Sequence, residues 1–343
     1  MQKIKLVDVA ELAGVSKSTV SQYLNGRFDY MSEKTKEKVK AAIDELDYVP
    51  NPIARNLKAD KTKTIGVIVR DITGFYTSRT LRGIDDYCKS SEYNVIIYNT
   101  DFDSEAEAKA LEALYQLRVD GIIISSSGKN TALIESYDKK GMPIVQFQIE
   151  YDGNEKNIIL SDYRKAAFEA TEYLIQLGHR RICFVTQDFK DVKSRQERYQ
   201  GYADALHQYQ IPLDEQLIQY WHRESGFQQP PKKALSGTNP PTVFFTQHLA
   251  ITTELLTALN TDNISIPNDV SLLGFDDIPM AEFFKVPITT LTQDTYKVGK
   301  AAAKLLLENI NDKNALPQKI MIPCSLSKRS SCQKILLSTS LGE

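Results

Sequence analysis

From Thr64 onward the chain alternates, and that alternation constrains its fold more than any other feature. Short β-rich runs at Ile65–Val69, Asn94–Tyr98, Gly121–Ser125 and Ile144–Phe147 are separated by helical stretches at Phe75–Ser90, Ser104–Leu117 and 130–140. A second series follows: helix 163–177, Ile182–Thr186, helix 195–209, Leu217–Trp221, helix 226–236, Val243–Thr246, helix 248–260 and Val270–Phe275. Strands alternating with helices imply parallel sheets, right-handed crossovers and helices on both faces. Two such series predict an α/β fold with two lobes of similar design. Ligands of open sheets sit beyond the carboxyl ends of the strands. The residues to watch are therefore Arg70, Asp71, Phe75 and Tyr76 after the first strand, Ser125–Ser127 after a later one, and Gln146–Gln148 after another. Phe75 and Tyr76 divide evenly between core and pocket, and Ser125–Ser127 read as a polar loop outside the site.

The first sixty residues have a different texture. In Leu6–Asn25, Val9, Leu12 and Ala13 recur at helical spacing with Ala10 beside them, and Val20, Tyr23 and Leu24 repeat the pattern. Between the two lies Ala13-Gly14-Val15-Ser16. Gly14 can take the left-handed conformation that ends a helix, and Ser16 can accept from the free N–H groups that open the next. The result is a small all-α unit whose second helix turns Val20 and Leu24 inward and Lys17, Ser18, Ser21 and Gln22 outward. Spacing alone fits either an ordinary αα-corner with a solvated face or a helix-turn-helix whose second helix enters the DNA major groove. A third helix follows, capped by Ser32, with Val39, Ala42, Ile43 and Leu46 as its packing stripe.

The residues themselves go further. Asp8-Val9-Ala10, Ala13-Gly14-Val15-Ser16, Thr19-Val20-Ser21 and Leu24-Asn25 make the pattern DVAxxAGVSxxTVSxxLN, which resembles the headpiece of the LacI/GalR family of bacterial transcriptional regulators. By that resemblance Leu6, Ser16, Lys17, Ser18, Thr19, Ser21, Gln22 and Asn25 face DNA. Two departures bear on it. Lys5 stands where the family usually has Thr or Ser, so helix one loses its favoured cap. Gln22 stands where the family usually has Arg, which reads guanine, whereas Gln pairs better with adenine. Asn51-Pro52-Ile53-Ala54-Arg55-Asn56-Leu57-Lys58 reads as a helix start, yet a helix of roughly eight residues is unstable in water alone. It is either a linker turn or, as the resemblance implies, the family's hinge helix. Asn51 and Ala54 then lie at the DNA, Leu57 wedges into the minor groove, and Arg55 and Lys58 lie near phosphates.

The rest of the chain resembles the family's effector domain, built like a periplasmic sugar-binding protein. The implied organisation is a headpiece at 1–50, a hinge at 51–61 and an effector and dimerisation domain at 62–343. Lobe 1 would span about 62–161 plus 292–324 and lobe 2 about 162–291 plus 325–343, with crossings near 161–163, 290–292 and 324–326. Ser194, Arg198, Gly201 and Tyr202 match the family's SxxxRxxGF/Y ligand motif, and Gly274-Phe275-Asp276-Asp277 matches GYDD/GFDD, whose first Asp accepts from a ligand hydroxyl. Trp221 stands where an aromatic often meets the ligand, although a lone Trp also suits a core. Thr246-Gln247 replace the usual Asn-Asp, Gln148 falls where Asp or Arg is common, and Arg70 where Pro or Ser is common. The expected effector contacts are thus Arg70, Phe75, Tyr76, Gln148, Ser194, Arg198, Trp221, Thr246 and Asp276. Arg70 and Arg198 in one cleft suit an anion, so the expected effector is an acidic sugar, a uronate-derived keto acid or a sugar phosphate.

Composition fits this reading without carrying it. Net charge is −2 over 343 residues, with 42% apolar and 25% charged residues. Residues 1–63 hold 12 Lys/Arg against 9 Asp/Glu, a surplus of three that leaves −5 for the remainder. Cys88, Cys183, Cys324 and Cys332 show no metal spacing and read as reduced thiols, which with the lack of a signal peptide or membrane span predicts a cytoplasmic protein. His179, His207, His222 and His248 have no metal spacing either, and no GxSxG, P-loop or GxGxxG appears. No cofactor and no enzyme activity are expected; the expected partners are a palindromic double-stranded operator, a small-molecule effector and a second copy of the chain. The end after Lys328-Arg329-Ser330-Ser331 lacks a heptad, which favours a two-fold dimer over a coiled-coil tetramer. The alternatives are a cytoplasmic sugar sensor without a DNA role, which leaves residues 1–58 unexplained, or an activator in place of a repressor.

Overall fold

The computed structural model describes residues 4–48, 61–151, 156–190, 192–312 and 314–335. The chain forms two compact units, 1–62 and 63–343. Asn51, Ala54, Arg55, Leu57 and Lys58 of the expected hinge lie outside the described residues.

The first unit holds α1 (Leu6–Ala13), α2 (Lys17–Leu24) and α3 (Glu33–Glu45). Lys5 has no side-chain acceptor to give α1, but the Asp8 carboxylate accepts the Lys5 N–H at 2.7 Å, which supplies the reciprocal half of a capping box. Gly14 sits at φ 63°, and the N–H groups of Gly14 and Val15 return to Glu11 and Ala10. A Cβ on Gly14 would meet nothing within 4 Å, so its backbone conformation and not crowding demands glycine. Ser16 Oγ then accepts the Thr19 N–H at 3.1 Å to open α2, and Ser32 does the same for α3. Val9, Ala10, Ala13, Val20, Val39, Ala42 and Tyr48 form the core of the unit. Leu12 does not join them and is 46% exposed. At about 100° per residue, Leu6, Val9, Ala10 and Ala13 already fill one arc of about 100°, and Leu12 falls outside it.

The second unit contains two sheets. The six-stranded sheet runs β12-β5-β4-β3-β1-β2, all parallel, from β1 (Thr64–Val69), β2 (Asn94–Asn99), β3 (Gly121–Ile124), β4 (Ile144–Phe147), β5 (Ile158–Ser161) and β12 (Lys319–Ile322). The seven-stranded sheet runs β13-β11-β10-β9-β6-β7-β8, from β6 (Ile182–Thr186), β7 (Ile218–His222), β8 (Gly226–Phe227), β9 (Val243–Thr246), β10 (Ser271–Phe275), β11 (Thr289–Gln293) and β13 (Cys324–Ser327). It is parallel except where β13 meets β11 and β8 meets β7. Between strands run α4 (Phe75–Ser90), α5 (Ser104–Gln116), α6 (Thr131–Lys139), α7 (Tyr163–Gln176), α8 (Lys193–Gln208), α9 (Pro231–Leu235), α10 (Leu249–Thr261) and α11 (Thr295–Asn311). The chain passes from one sheet to the other after Ser161, after Gln293 and after Ile322.

Period-two alternation sends the two faces of each strand to different cores. Val67 packs with Leu81, Ile84 and Leu306 on one side of the first sheet, and Ile68 with Leu111, Leu114 and Ile134 on the other. The second sheet is covered likewise, by α7 and α8 on one face and α10 on the other. Two helix pairs come unusually close. A Cβ on Gly201 of α8 would strike the Arg164 carbonyl of α7, and one on Gly299 of α11 would strike the Thr80 carbonyl of α4.

The helix expected over 226–236 is not there. Gly226–Phe227 instead pairs antiparallel with Trp221–His222, and only Pro231–Leu235 is helical. Gly226 at φ 75° makes the turn, and Pro230-Pro231 keeps the chain extended before allowing a helix to begin at its first position.

Candidate functional site

In the helical unit, Ser16, Lys17, Ser18, Gln22 and Asn25 are exposed on and beside α2, Thr19 and Ser21 are half-buried, and Leu6 is half-buried against the core. Three hydroxyls are already organised at the start of α2: Ser16 Oγ lies 2.6 Å from Ser18 Oγ and 2.9 Å from Thr19 Oγ1. Asn25 Nδ2 donates to the Ser21 carbonyl at 2.7 Å, closing the end of α2. This leaves Lys17 and Gln22 as the long polar side chains of α2 that reach solvent, one cationic and one able to donate and accept in a single plane.

In the second unit a cleft of about 1010 Å³ opens between the two lobes. Of the expected contacts it gathers Arg70, Phe75, Tyr76, Gln148, Ser194, Arg198 and Asp276. Arg198 forms its floor. The guanidinium lies 4.3 Å from the ring centroids of both Tyr163 and Phe275, and its Nε has no hydrogen-bond partner. Asp276 stands half-buried beside it. Burial pushes the Asp276 carboxyl above the usual carboxylate range, with Arg198 pulling against that, and Gln293 Nε2 donates to Asp276 Oδ1. The Tyr76 hydroxyl is likewise buried without a partner, and its pKa is pushed well up by burial.

On the first-lobe wall, Gln148 Oε1 accepts from Arg70 Nη2 at 3.2 Å and from Ser125 Oγ at 3.0 Å. The Gln148 carbonyl accepts from the Tyr163 hydroxyl of the other lobe at 3.0 Å. Ser125 is buried and braces Gln148 without lining the cleft, and the loop after it is held by Glu107, a fully buried carboxylate that accepts from Ser126, Ser127 and Asn130. Burial also lowers the pKa of Arg70.

Two expected contacts stand elsewhere. Trp221 is buried in the second lobe's core and does not line the cleft; its indole N–H donates to Glu254 Oε2 at 2.7 Å, because a buried indole needs an acceptor. Thr246 is fully buried, its hydroxyl 2.6 Å from that of Thr252. In both cases a neighbour on α10 claims the polar atom.

The cleft also holds residues that strand ends did not mark: Phe102, Tyr163, Arg195, Arg223, His248 and Glu254. Arg195 donates to the Asp188 carbonyl at 2.6 Å and to Gln187 Oε1 at 2.8 Å. Burial lowers its pKa, and Arg198 and Arg70 lower it further. His248 Nδ1 accepts the Ala250 N–H, so Nε2 carries the proton donated to Gln187 Oε1 at 2.9 Å. Burial and then the arginines at 198, 195 and 223 bring the His248 pKa down to about 3, so it is neutral. Among the described residues none of Arg70, Arg195, Arg198 and Arg223 lies within ion-pairing distance of a carboxylate. The carboxylates of the cleft have other hydrogen-bonding or ion-pair partners, Asp277 with Arg329, Asp294 with Lys297, Glu254 with Trp221, Asp276 with Gln293 and Asp71 with Thr73, although Arg198 also favours the charged form of Asp276 and Arg223 that of Asp71. No group of three or more His, Cys, Asp or Glu converges as a metal site among the described residues.

Comparison with known proteins places this geometry. Residues 5–51 match the model of bacterial regulatory proteins of the lacI family, and residues 171–332 match a periplasmic binding protein-like domain. The chain is 38% identical over 311 residues to the probable HTH-type transcriptional regulator EndR of Paenibacillus polymyxa, covering 89% of this chain and 90% of that one. The chain belongs to the LacI family. It is 34% identical to the HTH-type transcriptional repressor PurR of Vibrio parahaemolyticus, over 89% of this chain and 92% of that one. Among solved structures, a Lac repressor dimer bound to operator and an anti-inducer superposes with a TM-score of 0.81 at 26% identity, covering 97% of this chain and all of that one. As a LacI-family member with this headpiece it is a DNA-binding transcriptional repressor, and the α/β unit with its cleft is the family's second domain.

Proposed function

We propose that this repressor acts as a homodimer on a palindromic operator and that an anionic, sugar-derived effector in the lobe cleft sets its affinity for DNA. The observation that carries the effector class is the set of four arginines at 70, 195, 198 and 223, which touch aromatic rings and neutral oxygens and form no ion pair with a described carboxylate. A carboxylate or phosphate accepts from such guanidiniums bidentately, and in a half-buried cleft that bond is about twice as strong as a neutral one. Asp276 and Glu254 then remain as acceptors for hydroxyls, which suits a sugar acid or sugar phosphate involved in carbohydrate catabolism.

Dimerisation is supported by exposed apolar side chains after β10: Met280 is 71% exposed, Phe283 79% and Phe284 40%. The Lac repressor superposed above is itself a dimer on operator. Two headpieces related by a two-fold axis would read two half-sites, with residues 51–61 as hinge. No helix among the described residues is long and apolar enough to cross a membrane. Calorimetric titration with gluconate-type acids, sugar phosphates and the corresponding neutral sugars tests the effector class. Binding confined to the charged compounds is the expected result, and tight binding of a neutral sugar alone would overturn the charge argument.

A further inference from the structure

The Phe102 side chain belongs to neither hydrophobic core of its lobe. It is 51% exposed on the turn between β2 and α5. Asp101 at φ 50° and Phe102 at φ 64° are two consecutive non-glycine residues in the left-handed region, a conformation that costs free energy and that clusters at binding sites. Local bonds impose it: Asn99 Nδ2 donates to Asp101 Oδ1 at 2.7 Å, and the Phe102 N–H donates to the Arg70 carbonyl at 3.2 Å. The outcome is a ring at the cleft mouth with a guanidinium from each lobe against it. Arg70 of the first lobe and Arg223 of the second each lie 5.4 Å from its centroid.

We infer that Phe102 is a positioning residue for the effector, a neutral ring that holds Arg70 and Arg223 together at the mouth of the cleft without consuming their charge. Two guanidiniums brought near each other repel, and a carboxylate placed between them would neutralise them and compete with an anionic ligand. An aromatic face attracts both cations electrostatically yet leaves their N–H groups free to turn to a phosphate or carboxylate. The arrangement spans the lobes, so an anion that bridges Arg70 and Arg223 also draws the cleft closed. The inference rests on the anionic effector proposed above and adds to it the residue that makes the charge usable.

The test uses full-length protein and two probes, inorganic phosphate and gluconate, titrated against wild type and the variants F102L, F102W, R223Q and F102L/R223Q. The exposed position of Phe102 means that F102L should leave the melting temperature unchanged. Loss of two ring–guanidinium contacts should weaken probe binding about tenfold in F102L, and F102W should retain wild-type affinity. R223Q should weaken binding to a similar degree, and the double variant should bind no more weakly than either single one, because both act through one arrangement. Wild type binding neither probe would overturn the anionic effector itself and this inference with it. Wild type binding a probe that F102L binds equally well, or losses that simply multiply in the double variant, would overturn the role of Phe102 alone.

Discussion

Gln22 and Asp276 show what single residues decide. Gln22 is the exposed carboxamide of α2, and a carboxamide matches adenine N6/N7 where Arg matches guanine O6/N7. Q22R should therefore move the preferred base at one position of each half-site from adenine to guanine, with a discrimination of about 1–3 kcal/mol in competition binding on operator variants. Asp276 illustrates stability given up for a site. Its folded-state pKa is raised, chiefly by burial. A carboxyl with a raised folded pKa is stabilising only while protonated, and that contribution is lost as pH rises through the folded value. D276N should then melt higher than wild type at pH 7, with the gap closing as pH falls through the carboxylate range, while its response to the effector is lost. Equal melting temperatures at pH 7 would mean that the burial cost is already offset.

Elements explain which parts of the site were legible beforehand. Arg70 and Gln148 line the cleft because β1 and β4 release their next residues into it. Thr246 ends β9, but α10 begins three residues later and Thr252 takes its hydroxyl, so the side chain turns inward. Trp221 is diverted in the same way by Glu254 on α10. Arg195 sits between Ser194 and Arg198 at the start of α8, outside the SxxxRxxGF/Y pattern that marks those two. Phe102 and Arg223 were illegible for a deeper reason: their meeting depends on two turns from separate lobes, and nothing local in either stretch announces it. Helix 226–236 failed on chemistry that was visible, since Pro230-Pro231 and Gly226 both resist a helix through that span. The close crossing of α7 and α8 yields a prediction at this scale. G201A places a methyl group against the Arg164 carbonyl and should cost about 1–3 kcal/mol in urea unfolding. An unchanged midpoint would show that the pair separates freely.

At the scale of the whole molecule, the strand–helix alternation carried the architecture, and the residue pattern of the first twenty-five positions carried the family. Composition carried little, because a net charge of −2 hides the basic front end. The exposed Met280, Phe283 and Phe284 bear on assembly. F283E should shift the protein from dimer to monomer in analytical ultracentrifugation and weaken operator binding in proportion, since a palindrome rewards two headpieces held together. A dimer that survives the change would place the interface elsewhere. Control by effector is then a matter of linkage: whatever factor the ligand applies to operator affinity, the operator applies to ligand affinity.

The most direct measurement of the central claim is operator affinity, determined at fixed salt on palindromic DNA taken from upstream of the chain's own gene, with and without saturating sugar acid or sugar phosphate. The account predicts specific binding that changes at least about tenfold on adding one of these anions, a coupling of about 1.4 kcal/mol. Specific binding that no such anion alters, or no specific binding at all, would contradict it.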